Sequence, residues 1–265
     1  MEFGYFFSDF PSETREGVKY FLKCLTFLVI SEKYGPILFD TGSPSDSEKV
    51  KNILYNRFNL KPEDIKWVFN THIHPDHVGN NYLFTNAKIV LSKKDFEFAN
   101  DIAIASYKEQ NFLQYLHNKC PGYKTSFTEF EANQTKNYIK TYWSIEKIGI
   151  GKNAIYIEDK PEIPDFIKII PSFGHTFFHY CYLIEIENKK IIISGDAVSN
   201  RLVLNEEEKD YRLLEPHMDF NLYFDSLLML NKYTCLFAPG HDRPFYSNTA
   251  LSIKKSKFSI KDIEI

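Results

Sequence analysis

The stretch Asn70-Thr71-His72-Ile73-His74-Pro75-Asp76-His77-Val78-Gly79-Asn80 decides how this chain is read. Three histidines and an aspartate fall within six positions, as His72-x-His74-x-Asp76-His77. A packed core has no use for that pattern, whereas imidazole and carboxylate donors together suit a borderline divalent metal such as zinc. The preceding Trp67-Val68-Phe69 is apolar, aromatic and β-branched, as a buried strand should be. In extended chain, residues two apart point to the same side, so His72 and His74 can reach one metal from one face. Pro75 disfavours the helical region for His74 and keeps that geometry extended. Beyond Pro75 the chain can turn, swinging Asp76 and His77 toward a second, adjacent position, and Gly79 permits a tight backbone there. The alternative, a polar loop that is rich in histidine by chance, is disfavoured by the specificity of the spacing.

Working outward, the chain has 265 residues, enough for one large domain or two small ones. It is read as a single domain, 1–265. Hydrophobic residues make up 43% and supply a substantial core, with 24 Phe and 17 Tyr among them. The net charge of −3 gives no basic footprint for nucleic acid. The short lysine clusters Lys93-Lys94, Lys189-Lys190 and Lys254-Lys255 read as solvated turns and helix ends. The most apolar early run, Phe21 to Ile30, is interrupted by Lys23 and is too short to span a bilayer. It also lies too far from the terminus, behind a polar segment, to read as a signal peptide. The expectation is a soluble cytoplasmic protein with a small-molecule substrate, no membrane partner and no nucleic-acid partner; a homodimer is compatible with the sequence. Cys24, Cys120, Cys181 and Cys235 are scattered without a CxxC pair, which favours reduced, buried thiols over disulfides.

Strands are predicted at Phe21–Ile30, Ile37–Asp40, Lys66–Asn70 and Lys88–Leu91, with a helix over Asp46–Phe58 whose Val50, Ile53, Leu54 and Phe58 share a side. That alternation suggests a layered α/β protein. From about 92 to 145 the pattern is mostly helical, roughly Lys93 to Asn118 and Glu131 to Ile145, broken at Cys120-Pro121-Gly122. Its apolar stripe, including Phe96, Ala99, Ile102, Phe112 and Leu116, serves either core packing or a cap over a substrate pocket, and the two uses are compatible on different faces. Strand character resumes at Phe166–Ile170, Tyr180–Ile186, Lys189–Ser194 and Thr234–Ala238, with Glu187-Asn188 as a hairpin tip and Asp219–Asn231 as a helix. No low-complexity tract or interdomain linker is evident, and the tail after Leu251 is rich in Lys and Ile.

One motif supplies four ligands, and two metals need more. Gly174-His175-Thr176 follows the Phe166–Ile170 strand, Ser194-Gly195-Asp196 ends the strand from Lys189, and Pro239-Gly240-His241 ends the strand from Thr234. Each candidate thus sits on a loop at a strand end, where a rigid sheet can hold a site, and each has a glycine beside it.

Taken in order, Asp40-Thr41-Gly42, Thr71-His72-x-His74-x-Asp76-His77, Gly174-His175-Thr176, Gly195-Asp196 and Pro239-Gly240-His241 resemble the motifs of the metallo-β-lactamase superfamily, over about residues 20 to 245. The resemblance implies an α+β fold, a four-layer αβ/βα sandwich of two packed sheets with helices outside, carrying a mostly helical insertion around 92–145. It implies a dinuclear site along one edge. His72, His74 and His175 resemble the ligands of the first metal, Asp76, His77 and His241 those of the second, and Asp196 the bridging carboxylate. Asp40 matches a residue that supports a ligating histidine through its other ring nitrogen. The implied cofactors are two divalent ions, zinc by default, with iron or manganese as alternatives. Without a cysteine in the implied ligand set, the second position is a harder one than a thiolate would make.

Two metals about 3.5–4 Å apart can share a water and lower its pKa toward neutrality. Asp76, bound through one oxygen, is the candidate proton shuttle. The layout resembles most the lactonase-like and hydroxyacylglutathione-hydrolase-like branches, hence a hydrolase of a small ester-like bond, lactone or thioester. Ala197-Val198-Ser199-Asn200 stands where some lactonases carry a tyrosine. The competing readings are a ribonuclease or phosphodiesterase of the same fold, a mono-iron persulfide dioxygenase, and a non-catalytic binding protein. His179 reads as a packed or orienting histidine near the site, and His117 and His217 as non-ligands because seven ligands are already in hand. Tyr138, Tyr142, Tyr211 and Tyr246 are substrate-contact candidates that the sequence does not separate, so the substrate-binding residues stay unknown.

Overall fold

The structure, a computed structural model, describes residues 1–15, 18–120, 129–142, 148, 153–186, 189–204, 218–247 and 260–261. Among these, one sheet is built from β1 (Glu2–Arg15), β2 (Val18–Ser31), β3 (Gly35–Phe39), β4 (Trp67–Phe69), β5 (Lys88–Leu91) and β6 (Ala154–Tyr156). The other contains β7 (Ile167–Pro171), β8 (Tyr180–Ile186), β9 (Lys189–Gly195), β10 (Leu236–Pro239) and β11 (Phe245–Tyr246), in the order β11-β10-β9-β8-β7. A short β12 (Ile260–Lys261) returns to the first sheet, parallel to β1. In the first sheet β1, β2 and β3 are antiparallel, and β3 to β6 are parallel.

The alternation of side chains along these strands makes the layers. Phe27, Val29, Ile37, Phe39, Trp67, Phe69 and Val90 point from the first sheet into a core shared with Tyr180, Tyr182, Ile184, Ile191, Ile193 and Leu236 of the second. Leu28, Leu38, Val68 and Ile89 face the other way, onto Val50, Ile53 and Leu54 of α1 (Ser47–Phe58). On the far side Leu183, Ile192 and Phe237 pack against Tyr223, Leu227 and Leu230 of α6 (Phe220–Leu230). Helix, sheet, sheet, helix is the four-layer αβ/βα sandwich. The parallel strands are covered on both faces, and so read as unbroken apolar runs such as Trp67-Val68-Phe69.

The same physics hid β1 from the sequence reading. Tyr5 enters the inter-sheet core while its neighbour Phe6 enters the α1 layer, so Phe3-Gly4-Tyr5-Phe6-Phe7 shows no alternation. β2 also starts earlier than expected, at Val18, and β6 is a three-residue strand without a pattern of its own. The helix expected over 93–118 is two: α3 (Lys93–Lys108) and α4 (Phe112–Lys119). Asn111 divides them, its side-chain oxygen accepting from Gln114 N at 3.0 Å as an N-cap. α5 (Glu129–Tyr142) follows, two residues earlier at its start than expected. These helices share an apolar cluster of Ile102, Ala105, Phe112, Leu116, Ala132 and Ile139, joined by Met218 and partly buried Phe98 and Phe177. Pro121-Gly122, the Glu187-Asn188 tip, Tyr211, His217, Lys254-Lys255 and most of the tail after Leu251 lie outside the described residues, as do the side chains of Tyr138 and Tyr142. None of the four cysteines forms a disulfide, and all four are buried. Among the described residues no helix is long and apolar enough to cross a membrane.

Candidate metal centre

β3, β4, β7, β9 and β10 all end toward one edge of the sandwich, and the loops that follow them bring the motif residues together. β4 delivers the histidine run. His74 is extended (φ −65°, ψ 144°), as Pro75 requires, and α2 (Pro75–Val78) then turns the chain within four residues. Val78 N donates to His74 O at 3.1 Å, which fixes Asp76 and His77 in that single turn.

His72, His74, His175 and Asp196 each offer one donor atom within 4.8 Å of the others, and so do His77, Asp196 and His241. Asp196 belongs to both groups. His74 Nδ1 faces His175 Nε2 at 3.1 Å, and that nitrogen lies 3.3 Å from Asp196 Oδ2. His241 Nε2 is 3.1 Å from Asp196 Oδ2, and His77 Nε2 is 3.3 Å from Asp196 Oδ1. Asp76 Oδ2 lies 3.6 Å from His77 Nε2 and 3.8 Å from His241 Nε2. All seven residues named from the sequence are therefore brought to one place.

The surroundings set which nitrogen faces inward. Asp40, at the end of β3 with φ 56°, accepts from Thr71 N and Thr71 Oγ1, each at 2.8 Å, and from His77 Nδ1 at 2.8 Å. His77 Nδ1 is thereby committed to Asp40, and Nε2 is the nitrogen that faces the site. The Thr71 hydroxyl proton goes to Asp40, so Thr71 Oγ1 accepts from His72 Nδ1 at 3.0 Å and His72 Nε2 turns its lone pair inward. His241 Nδ1 donates to Lys23 O at 2.9 Å, which leaves its Nε2 facing the site. Such outer hydrogen bonds hold metal-ligating imidazoles in the required tautomer.

Burial drives His72, His74 and His175 below the usual histidine range, so all three are neutral donors at neutral pH. Burial acts the same way on His77 and His241, but the carboxylates win: Asp196, Asp76 and Asp40 push His77 well up, and Asp196 with Asp76 push His241 up to about 9. Burial would raise Asp196, yet His241, His77 and His175 hold it well below the ordinary carboxylate range. This pocket thus demands positive charge. His72 Nε2, His77 Nε2 and Asp196 Oδ1 are buried with no hydrogen-bond partner, a cost of about 1–3 kcal/mol each that a cation would remove. Donor chemistry, unsatisfied atoms and charge demand all fit a metal ion.

Glycine permits the closeness. A Cβ on Gly240 would stand 1.9 Å from Asp196 Oδ1, and one on Gly174, whose φ is +123°, would stand 2.0 Å from Tyr223 N. His179 is in none of the donor groups. Its Nδ1 pairs with Ser172 Oγ at 2.8 Å, its ring stacks on His72 at 4.9 Å, and burial lowers its pKa to about 3, so it packs behind a candidate ligand. His117, in α4, is likewise outside the donor groups.

Two residues that the sequence reading passed over also belong here. Asp95 of α3 is buried, and its Oδ2 accepts from Ile73 N at 3.0 Å, between His72 and His74. Cys24 of β2 is buried, with Sγ 3.3 Å from Asp76 Oδ2. Neither carries a local signal. Asp95 looks like an acidic residue in a helix's first turn, and Cys24 like an apolar filler of a strand.

The sequence profile of the Metallo-beta-lactamase superfamily matches residues 20–94. An N-acyl homoserine lactonase of Bacillus cereus is 27% identical over 187 residues, covering 62% of this chain and 60% of that protein. A protein of Methanocaldococcus jannaschii described as "Probable metallo-hydrolase" is 44% identical over 136 residues, 51% of this chain and 56% of the other. These matches thus span about 60% of their relatives' length or less. Among solved structures, the dizinc quorum-quenching lactonase AidC superposes with a TM-score of 0.62 at 17% identity, over 84% of this chain and 74% of that one. The lactonase AiiA of B. thuringiensis, with N-decanoyl-L-homoserine at its active site, gives 0.58 at 20% identity, over 91% and 93%. At such identities the superpositions speak for the fold. Ordered motifs, sandwich and profile agree: the chain has the metallo-β-lactamase fold, and its residues 20–94 match the profile of that superfamily.

Proposed function

We propose that this chain is a metal-dependent hydrolase of a small ester-like substrate, a lactone or a thioester, working with two divalent cations, zinc by default. His72, His74 and His175 would hold the first ion, Asp76, His77 and His241 the second, and Asp196 both. The observation that carries this reading is the convergence of seven donor residues on one edge while His72 Nε2, His77 Nε2 and Asp196 Oδ1 lack a hydrogen-bond partner. When bound, the ions supply Lewis-acid polarisation of the substrate oxygen and a water made acidic enough to attack at neutral pH.

The chain's own residues do the rest. Asp40, Thr71 and the Lys23 carbonyl hold the imidazoles in register, so no reorganisation is needed when charge develops. Asp76, at the mouth of α2, takes the proton from the attacking water on its free carboxylate oxygen. It then returns that proton to the leaving alkoxide or thiolate, giving acid plus alcohol or thiol. In this reading 1–265 act as one domain, with the helices between 92 and 145 forming the substrate side. Phe98 of α3 packs edge-on against Phe177, two residues after His175, with ring centroids 5.2 Å apart. A lactone is favoured by the N-acyl homoserine lactonases among the sequence relatives. Ala197, Val198 and Ser199 are buried and offer no phenol to a substrate, so an acyl-homoserine lactone is one member of the class to test rather than the assumed substrate.

A panel of lactones, thioesters, a phosphodiester and a β-lactam, run on one metal-quantified preparation with His72→Ala beside it, tests the proposal. Lactone or thioester hydrolysis is expected, lost in His72→Ala by more than the roughly 10–100-fold that removing an outer partner costs. Activity that survives His72→Ala on every substrate sinks the mechanism. Phosphodiester cleavage alone would assign the nuclease reading, and one iron per chain with oxygen uptake the dioxygenase reading.

A further inference from the structure

The thiol of Cys24 sits where the second cation would bind, and the fold holds it there. One donor atom each from Cys24, Asp76 and His241 lie within 4.8 Å of one another. Both neighbours of Cys24 are tied to the loop that carries His241: Leu25 N donates to Gly240 O at 2.8 Å, and Lys23 O accepts from His241 Nδ1 at 2.9 Å. Alternation along β2 turns Cys24 away from the inter-sheet core that takes Leu25 and Phe27, leaving its side chain to the site edge. A second feature points to a ligand. His77 Nε2, fully buried and without a hydrogen-bond partner, lies 3.6 Å from the same Asp76 oxygen that Cys24 touches. Zinc–sulfur and zinc–oxygen bonds of about 2.3 and 2.1 Å set neighbouring sulfur and oxygen ligands about 3.1–3.8 Å apart around a five-coordinate ion. The Cys24–Asp76 separation is 3.3 Å.

We propose that Cys24 is a ligand of the second cation, so that this position is completed by a thiolate from β2 in addition to Asp76, His77 and His241. This rests on the two-cation reading above. On coordination the thiol proton leaves to solvent and the sulfur lone pair bonds the metal. The position then becomes softer than a nitrogen and carboxylate set, and favours zinc, cobalt and cadmium over manganese and magnesium.

Cobalt(II) tests this without reference to turnover. The full chain is stripped with chelator, reloaded with cobalt, and its metal content and absorption are recorded for wild type, Cys24→Ser and Cys24→Ala. The expected result is two cobalt ions per wild-type chain and an intense near-ultraviolet thiolate-to-cobalt charge-transfer band. Both variants should lose that band and keep the weaker visible bands of the histidine-bound ions. Cys120, Cys181 and Cys235 are in none of the donor groups, so the band reports Cys24. Two cobalt ions without the band in wild type, or an equal band in a folded variant, overturns the cysteine assignment and leaves the two-cation reading standing. No cobalt uptake by wild type overturns both. If neither variant folds, cadmium NMR of wild type decides: a resonance in the sulfur-ligated range supports the proposal, and two resonances in the nitrogen–oxygen range overturn it.

Discussion

Asp40 Oδ2 accepts a 2.8 Å hydrogen bond from His77 Nδ1, so a residue ending β3 aims a histidine in α2. The same carboxylate accepts from Thr71 N and Oγ1, and through Thr71 it also orients His72. One side chain therefore governs imidazoles in both donor groups. Asp40→Ala removes all three acceptances and puts alanine at a φ of 56°, which Asp and Asn tolerate better. Metal affinity should fall about 10–100-fold, with hydrolytic activity falling alongside. Titration of chelator-stripped protein with zinc checks this; unchanged affinity would show that Asp40 does not position the ligands.

Gly240→Ala should damage the site from the other side. The added Cβ would lie 1.9 Å from Asp196 Oδ1, so the carboxylate or the His241 loop must move. Overpacking of this kind costs about 1–3 kcal/mol of stability. The expected outcome is protein that still folds but binds fewer than two zinc ions per chain, read by metal analysis after gel filtration. Full occupancy with wild-type activity would mean that the loop has more room than the geometry shows.

The candidate ligands were legible because their chemistry is local: His72, His74, Asp76 and His77 share one short run, and each later candidate has a glycine beside it at a strand end. The supports were not. Cys24 meets Asp76 across 52 positions and Asp95 meets Ile73 across 22, and such pairings exist only once the sheets are assembled. The layers were readable where one face of an element is dry, as in α1. They were unreadable in β1, where both faces are covered and the period of two disappears. The helix expected over 93–118 was placed but not divided, since Asn111 interrupts a stretch whose apolar spacing runs through.

Asp95 links stability to pH. Burial raises its carboxyl to about 7, against the Thr176 hydroxyl and the amides of Ile73 and Phe178, whereas an unfolded aspartate titrates near 3.9. Between those values the folded chain binds the extra proton. Its contribution to stability is therefore complete below about pH 4 and is lost as pH rises through about 7. Asp95→Asn keeps an acceptor for Ile73 N and cannot titrate. In denaturant unfolding of metal-free protein, wild type should lose stability relative to Asp95→Asn as pH goes from 4 to 8. Parallel curves over that window would show that Asp95 is ionised in the fold throughout.

Metal removal should destabilise the whole sandwich, because the candidate ligands hang from both sheets. His72 and His77 follow β4 of the first sheet, and Asp196 and His241 follow β9 and β10 of the second. Without a cation, the Asp40, Asp76 and Asp196 carboxylates lean on protonated His77 and His241, and buried nitrogens stay unsatisfied. Any ion that binds only the folded chain stabilises it by mass action, about 2.7 kcal/mol at a free concentration one hundred times Kd. For a chain of this size each kcal/mol moves Tm by about 2–4 °C. Chelator should therefore lower Tm by about 5–10 °C, and excess zinc should restore it. His72→Ala should start from the lower Tm and respond less to chelator than wild type. A Tm indifferent to chelator in protein shown to carry metal would place the ions away from the joint between the sheets.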